Sequence, residues 1–130
     1  MDRAALAQQV IIDDSESART IVVGRVVNVE PVLVEGTRGG LQASVRISTI
    51  DDRGLPPIDT VRIRVIDRRQ APWSAYMHQY ARSVFDETEL YVMANGGPRV
   101  PIGSLVSVRV DIVTGGRFTS VTIPVTVRAF

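Results

Sequence analysis

Three groups of residues have types and spacings that bear on chemistry. The first is acidic: Asp51–Asp52, Asp59, Asp67 and Asp86/Glu87/Glu89. Paired carboxylates serve general acid–base catalysis or calcium binding. Here they fall in turn-rich segments between alternating stretches, where acids cap backbone and meet solvent. No DxDxDG run with a closing glutamate is present. The second group is His78 with Tyr76, Tyr80 and Arg82. A serine hydrolase would need a GxSxG elbow beside it, and the chain has none. The third group is cationic: Arg62, Arg64, Arg68 and Arg69, open to extension by Arg46 and Arg109 from other strands. Arginines at i and i+2 share one face of a strand, so neighbouring strands can build a positive stripe. Such a stripe suits phosphates, carboxylates or an acidic protein surface.

Composition removes other chemistries. There is no cysteine, hence no disulfide, thiol nucleophile, Cys-held zinc or iron–sulfur cluster. One histidine excludes a His-pair metal site within a single chain. All 15 basic residues are arginine, so Schiff-base and P-loop lysines are absent. The 14 acids leave a net charge of +1, which gives no argument for nucleic acid. Nucleic acid would also want aromatics among the arginines, whereas the aromatics cluster in 73–85. Glycine pairs 39–40, 96–97 and 115–116 lack dinucleotide-binding spacing and read as turns. No catalytic residue, cofactor or metal ligand is assigned, and the chain is read as a non-enzyme.

The elements that must position the arginines are strands. Valine, isoleucine and threonine total 41 of 130 residues. Residues 20–35 read as one doubly covered strand, with Gly24 marking a bulge or close backbone approach and Pro31 ending or bending it. Residues 41–49 alternate, as do 60–66, 105–113 and 118–129, with a shorter strand at 90–94. Thr114-Gly115-Gly116-Arg117 predicts a hairpin, and Pro124 places the last strand at an edge or a bulge. The exception is 72–85, where Trp73, Tyr76, Met77, Tyr80, Ala81 and Val84 recur at three- and four-residue spacings. That spacing, with Pro72 at the first turn, predicts a helix. The expected fold is all-β, a single-domain β-sandwich with one short helix inserted near residues 72–85. A small β-barrel is the runner-up. Residues 1–19 are an N-terminal arm and 20–130 the β domain.

No run of 18 apolar residues exists, so no membrane-spanning helix is expected. Ala5-Leu6-Ala7 looks like a signal-peptidase site but lacks the preceding apolar region. Within the arm, Val10, Ile11 and Ile12 form an apolar trio followed by Asp13-Asp14, a pattern suited to strand exchange with a neighbour.

The segments VVGRVV (22–27), TVRIRVIDRR (60–69) and SLVSVRVDIVTGGRF (104–118) resemble the strand pattern of small periplasmic, pilotin-like β-sandwich proteins. The likeness covers about half the chain; it departs in lacking a lipobox cysteine and in the long 67–90 stretch. The plan of one β domain with an extended arm also resembles virion parts such as tail or head-completion proteins. An all-β core, an apolar patch within a polar N-terminus and no catalytic constellation point to a non-enzymatic structural or assembly subunit of a larger complex, with virion or periplasm ahead of cytoplasm. The alternative is a monomeric module that recognises an extended segment by edge-strand pairing. Expected partners are proteins, including copies of the chain itself, and not nucleic acid. The interface candidates are Val10, Ile11, Ile12, Arg62, Arg64, Trp73, Tyr76 and Tyr80.

Overall fold

The protein is seen in a computed structural model, which describes residues 16–36, 40–51, 53–82 and 88–130. The described residues form strands, turns and loops, arranged as two sheets. The larger sheet runs β1 (Ala18–Val22), β2 (Arg25–Glu35), β3 (Leu41–Thr49), β7 (Glu89–Ala94), β6 (His78–Arg82), with β10 (Arg128–Ala129) parallel to the end of β2. The smaller runs β5 (Trp73–Tyr76), β4 (Thr60–Ile66), β8 (Leu105–Thr114), β9 (Arg117–Thr126), all antiparallel.

Period-two alternation explains why the sheets stack. Leu41, Ala43, Val45 and Ile47 of β3 are buried, while Gln42, Ser44, Arg46 and Ser48 face outward. Val61, Ile63 and Val65 of β4 and Val106, Val108, Val110 and Ile112 of β8 do the same on the other side. Each buried valine or isoleucine contributes about 1.5–3 kcal/mol of transfer free energy. The two inner faces form one core in a sandwich-like arrangement.

The expected helix is absent: 73–76 and 78–82 are two short strands, and 83–85 lie outside the described residues. Strand β5 pairs with β4, and β6 with β7, so the segment passes from one sheet to the other. Met77 is the corner; it is buried, and its N–H donates to the Val61 carbonyl (2.8 Å). Trp73 and Met77 both face the core across this corner, which creates the four-residue spacing that mimics a helix. The free edges of β4 and β7 offered ladder partners, and pairing overrode the local pattern.

Residues 20–35 also differ from the reading as one strand. Val23 (φ 48°) and Gly24 (φ 75°) are both left-handed and form a two-residue turn between β1 and β2. A Cβ on Gly24 would meet nothing within 4 Å, so its role is conformational freedom and not close approach. Pro31 does not end β2. It lies on the stretch of β2's outer edge between the β1 pairing, which stops at Val29, and the β10 pairing, which starts at Val34. No described ladder there asks for the N–H that proline lacks. Gly115 and Gly116 (φ 56° and 78°) form the β8–β9 hairpin turn, and Pro124 lies on β9, an edge of the smaller sheet.

Candidate interaction face

Strand register lines up the outward side chains of the smaller sheet in rows. One row is Tyr76, Arg62, Asp111 and Ser120; the next is Ser74, Arg64, Arg109 and Thr122. Beyond it lie Ile66, Ser107 and Pro124, and then Leu105 with Thr126. The sheet thus carries a cationic band flanked by apolar side chains.

Asp111 organises the band. It is 1 % exposed although it points to the outer face, because the side chains around it close over it. Its Oδ2 accepts from Arg62 Nε (3.1 Å) and Nη2 (2.8 Å). Its Oδ1 accepts from Arg109 Nε (2.8 Å) and from the Ser120 hydroxyl (2.6 Å). Burial pushes the carboxyl up, but hydrogen bonds from Ser120, Arg62 and Arg109 outweigh that and hold it below the ordinary carboxylate range. The hydrogen bond to Asp111 raises the Arg62 guanidinium in turn, with a smaller contribution from Tyr76 beside it. Charge-assisted bonds of this kind fix both guanidinium planes.

Arg64 stands directly opposite Arg109 in the β4–β8 register and makes no ion pair with any described residue. Like charges placed opposite each other on a sheet repel. Asp111 relieves this by drawing Arg109 toward its own row. Two arginines share one buried carboxylate and Arg64 stands in the next row, so the two rows carry an excess of two positive charges. Tyr76 is 64 % exposed at the β5 end of its row. A surface groove of about 560 Å³ opens at the Leu105 end of the face, lined by Ile66, Leu105, Ser107 and Pro124 together with Asp67, Arg68 and Arg69.

The sequence candidates divide accordingly. Arg62, Arg64 and Tyr76 come together on this face, and Arg109 joins them. Arg46 does not: it lies on the larger sheet, bonded to Glu89 (2.7 Å) and beside Glu30 (3.5 Å). Trp73 points inward, where a Cβ on Gly97 would lie 3.0 Å from its ring. Tyr80 lies in β6, on the other sheet. Val10, Ile11 and Ile12 lie outside the described residues. The aromatic stripe read along 73–85 is therefore divided between core, outer face and second sheet. The partners missed in the sequence are Ser120 and the central place of Asp111. Their signal was the hairpin register, which pairs Asp111 with Ser120 once Gly115-Gly116 is fixed as a two-residue turn.

Most of the described candidate carboxylates hold backbone or arginine. Asp59 accepts from Gly115 N (2.8 Å), capping the β8–β9 turn, and Asp51 accepts from Arg53 N (3.1 Å). Asp67 is buried and held low first by the Arg69 hydrogen bond, with Gln70 adding another. Asp52, Asp86 and Glu87 lie outside the described residues. Among the described residues no three acidic or histidine side chains group to hold a metal ion. No protein-family model, curated protein or solved structure matches the chain.

Proposed function

We propose that the protein is a non-enzymatic subunit of a larger protein assembly, and that it engages its partner through the outer face of the β5-β4-β8-β9 sheet. The observation that carries this reading is the Arg62–Asp111–Arg109 network. A lone surface arginine must surrender rotamer freedom to bind. Here two guanidiniums are already fixed on a buried carboxylate, beside exposed Tyr76 and beside Arg64, which has no ion-pair partner among the described residues. Arginine and tyrosine are the residues that dominate protein interfaces, and apolar Ile66 and Leu105 supply adjoining area to desolvate.

Recognition by edge-strand pairing has less support. Edge strands β5, β6 and β1 are only four or five residues long, and the longer edge strand β9 carries Pro124. Short strands and proline are the usual means of blunting an edge.

Native mass spectrometry of the chain recovered from its source, beside an Arg64→Glu variant, tests the reading. Wild type should appear in a complex heavier than a single chain, and the variant mostly as a free chain. Recovery of both as single chains would contradict it.

A further inference from the structure

On the outer face of the smaller sheet the arginine rows have an apolar flank on each side, Thr60, Val113 and Phe118 on one and the rows from Leu105 on the other, and the Leu105 flank specifies a ligand. Leu105 begins it, Ile66, Ser107 and Pro124 follow, then Arg64 with Arg109. Leu105 is 68 % exposed and Ile66 39 %. Successive rows are two residues apart, about 7 Å. An extended segment laid along this face presents its own side chains at the same spacing, at i, i+2 and i+4. The complementary ligand therefore reads apolar, apolar, acidic at alternate positions.

The chain contains such a segment. In Val10-Ile11-Ile12-Asp13-Asp14, one side of an extended strand carries Val10, Ile12 and Asp14. Resting on the proposed assembly role of this face, the geometry points to its occupant: Val10–Asp14 of a second copy of the chain. Val10 lies over Leu105, Ile12 over the Ile66–Pro124 groove, and the Asp14 carboxylate between Arg64 and Arg109. Asp14 thereby supplies a negative charge to Arg64, which has no ion-pair partner among the described residues, beside Arg109, which shares Asp111 with Arg62.

The position of the arm's root assigns the segment to a neighbour. Fifteen residues precede Glu16, whose carboxylate accepts from Thr126 N (2.6 Å) and lies 3.6 Å from Arg128. Thr126 is the register partner of Leu105, in the apolar row. The row of Arg109 and Thr122 is four residues away, about 13 Å. Two residues, Asp14 to Glu16, span at most about 7 Å. A chain that placed its own Asp14 on the arginine row would run from Thr126 toward that row at nearly full stretch and then reverse to lay Val10 back over Leu105. A neighbour's arm takes this register without the reversal.

Sedimentation equilibrium of the full-length chain across concentration tests this. Wild type should self-associate, and raising salt from low to high ionic strength should weaken it. Ile12→Asp, Asp14→Arg and Arg64→Glu should each weaken association at least tenfold. Combining Asp14→Arg with Arg64→Glu in one chain should restore much of it, because each arm then meets a face of opposite charge. Circular dichroism confirms that the variants remain folded. If Arg64→Glu abolishes association while Ile12→Asp and Asp14→Arg leave it intact, the arm is not the occupant, although the face remains an interface. If wild type is monomeric at every concentration but is found in a complex from its source, the second-copy proposal fails and the assembly reading stands.

Discussion

Replacing Asp111 with asparagine tests whether the arginine face is built in advance of any partner. The change keeps the shape and removes the charge. Four hydrogen bonds reach the two carboxylate oxygens, three from arginine nitrogens and one from Ser120. Breaking a fully buried ion pair costs about 3–5 kcal/mol, and an exposed pair about 0–1 kcal/mol. Asp111 is buried, but the Arg62 and Arg109 side chains are 38 % and 47 % exposed, so water takes over part of their solvation. The carboxylate-side loss with partial relief gives about 2–3 kcal/mol. The variant also leaves Arg62, Arg64 and Arg109 without a counter-charge, and the Arg64–Arg109 repulsion acts in the same direction. Urea unfolding should show this as a lower midpoint with an unchanged slope. A thermal scan should show a drop of roughly 7–11 °C for a domain of this size. Glu30→Gln, which weakens only the more exposed contact to Arg46 at 3.5 Å, is the control and should cost under about 1 kcal/mol. A loss for Asp111→Asn no larger than for Glu30→Gln would refute the claim that the network fixes the face.

Three further outcomes follow from the fold. Acid should unfold the wild type through Asp67 and Asp111, both held below the ordinary carboxylate range. Their contribution is present above the unfolded value near 3.9 and is lost as pH falls through the folded values. The urea midpoint should therefore fall more steeply from pH 5 to pH 3 in wild type than in an Asp67→Asn/Asp111→Asn double variant; equal slopes would contradict this. Val23→Asn should stabilise by about 1 kcal/mol, because a β-branched residue at positive φ is strained and asparagine is not; an unchanged or lower melting temperature counts against the strain. Gly97→Ala should destabilise by about 1–3 kcal/mol, since its Cβ would sit 2.8 Å from Leu41 Cβ and 3.0 Å from the Trp73 ring, and a neutral denaturant midpoint would show that the site relaxes freely.

What the sequence discloses tracks how local its physical cause is. The buried faces of β3, β4 and β8 follow from alternation alone, and the β8–β9 hairpin from Gly115-Gly116. The corner at Met77 depends on which strand edges lie nearby, and this is not encoded in the spacing of 72–85. Strand and helix patterns coincide there because Trp73 and Met77 face one core from two sheets. The β1–β2 turn was hidden because Val23 is an uncommon residue for a left-handed position. For the site, i/i+2 spacing was enough to place Arg62 with Arg64. Uniting them with Arg109, Asp111, Ser120 and Tyr76 required the register of three ladders. Tyr76 reached that face only because 73–76 is a strand and not a helix.

On the reading proposed, the protein meets its partner through the outer face of the β5-β4-β8-β9 sheet. A photoactivatable benzophenone side chain at position 74, beside Arg64, reads this directly when compared with one at position 44 on the outer face of the larger sheet. Irradiation in the source cell should give protein cross-links from position 74 and none from position 44. Cross-links from position 44 alone, or from neither position with the protein held in a complex, would contradict it.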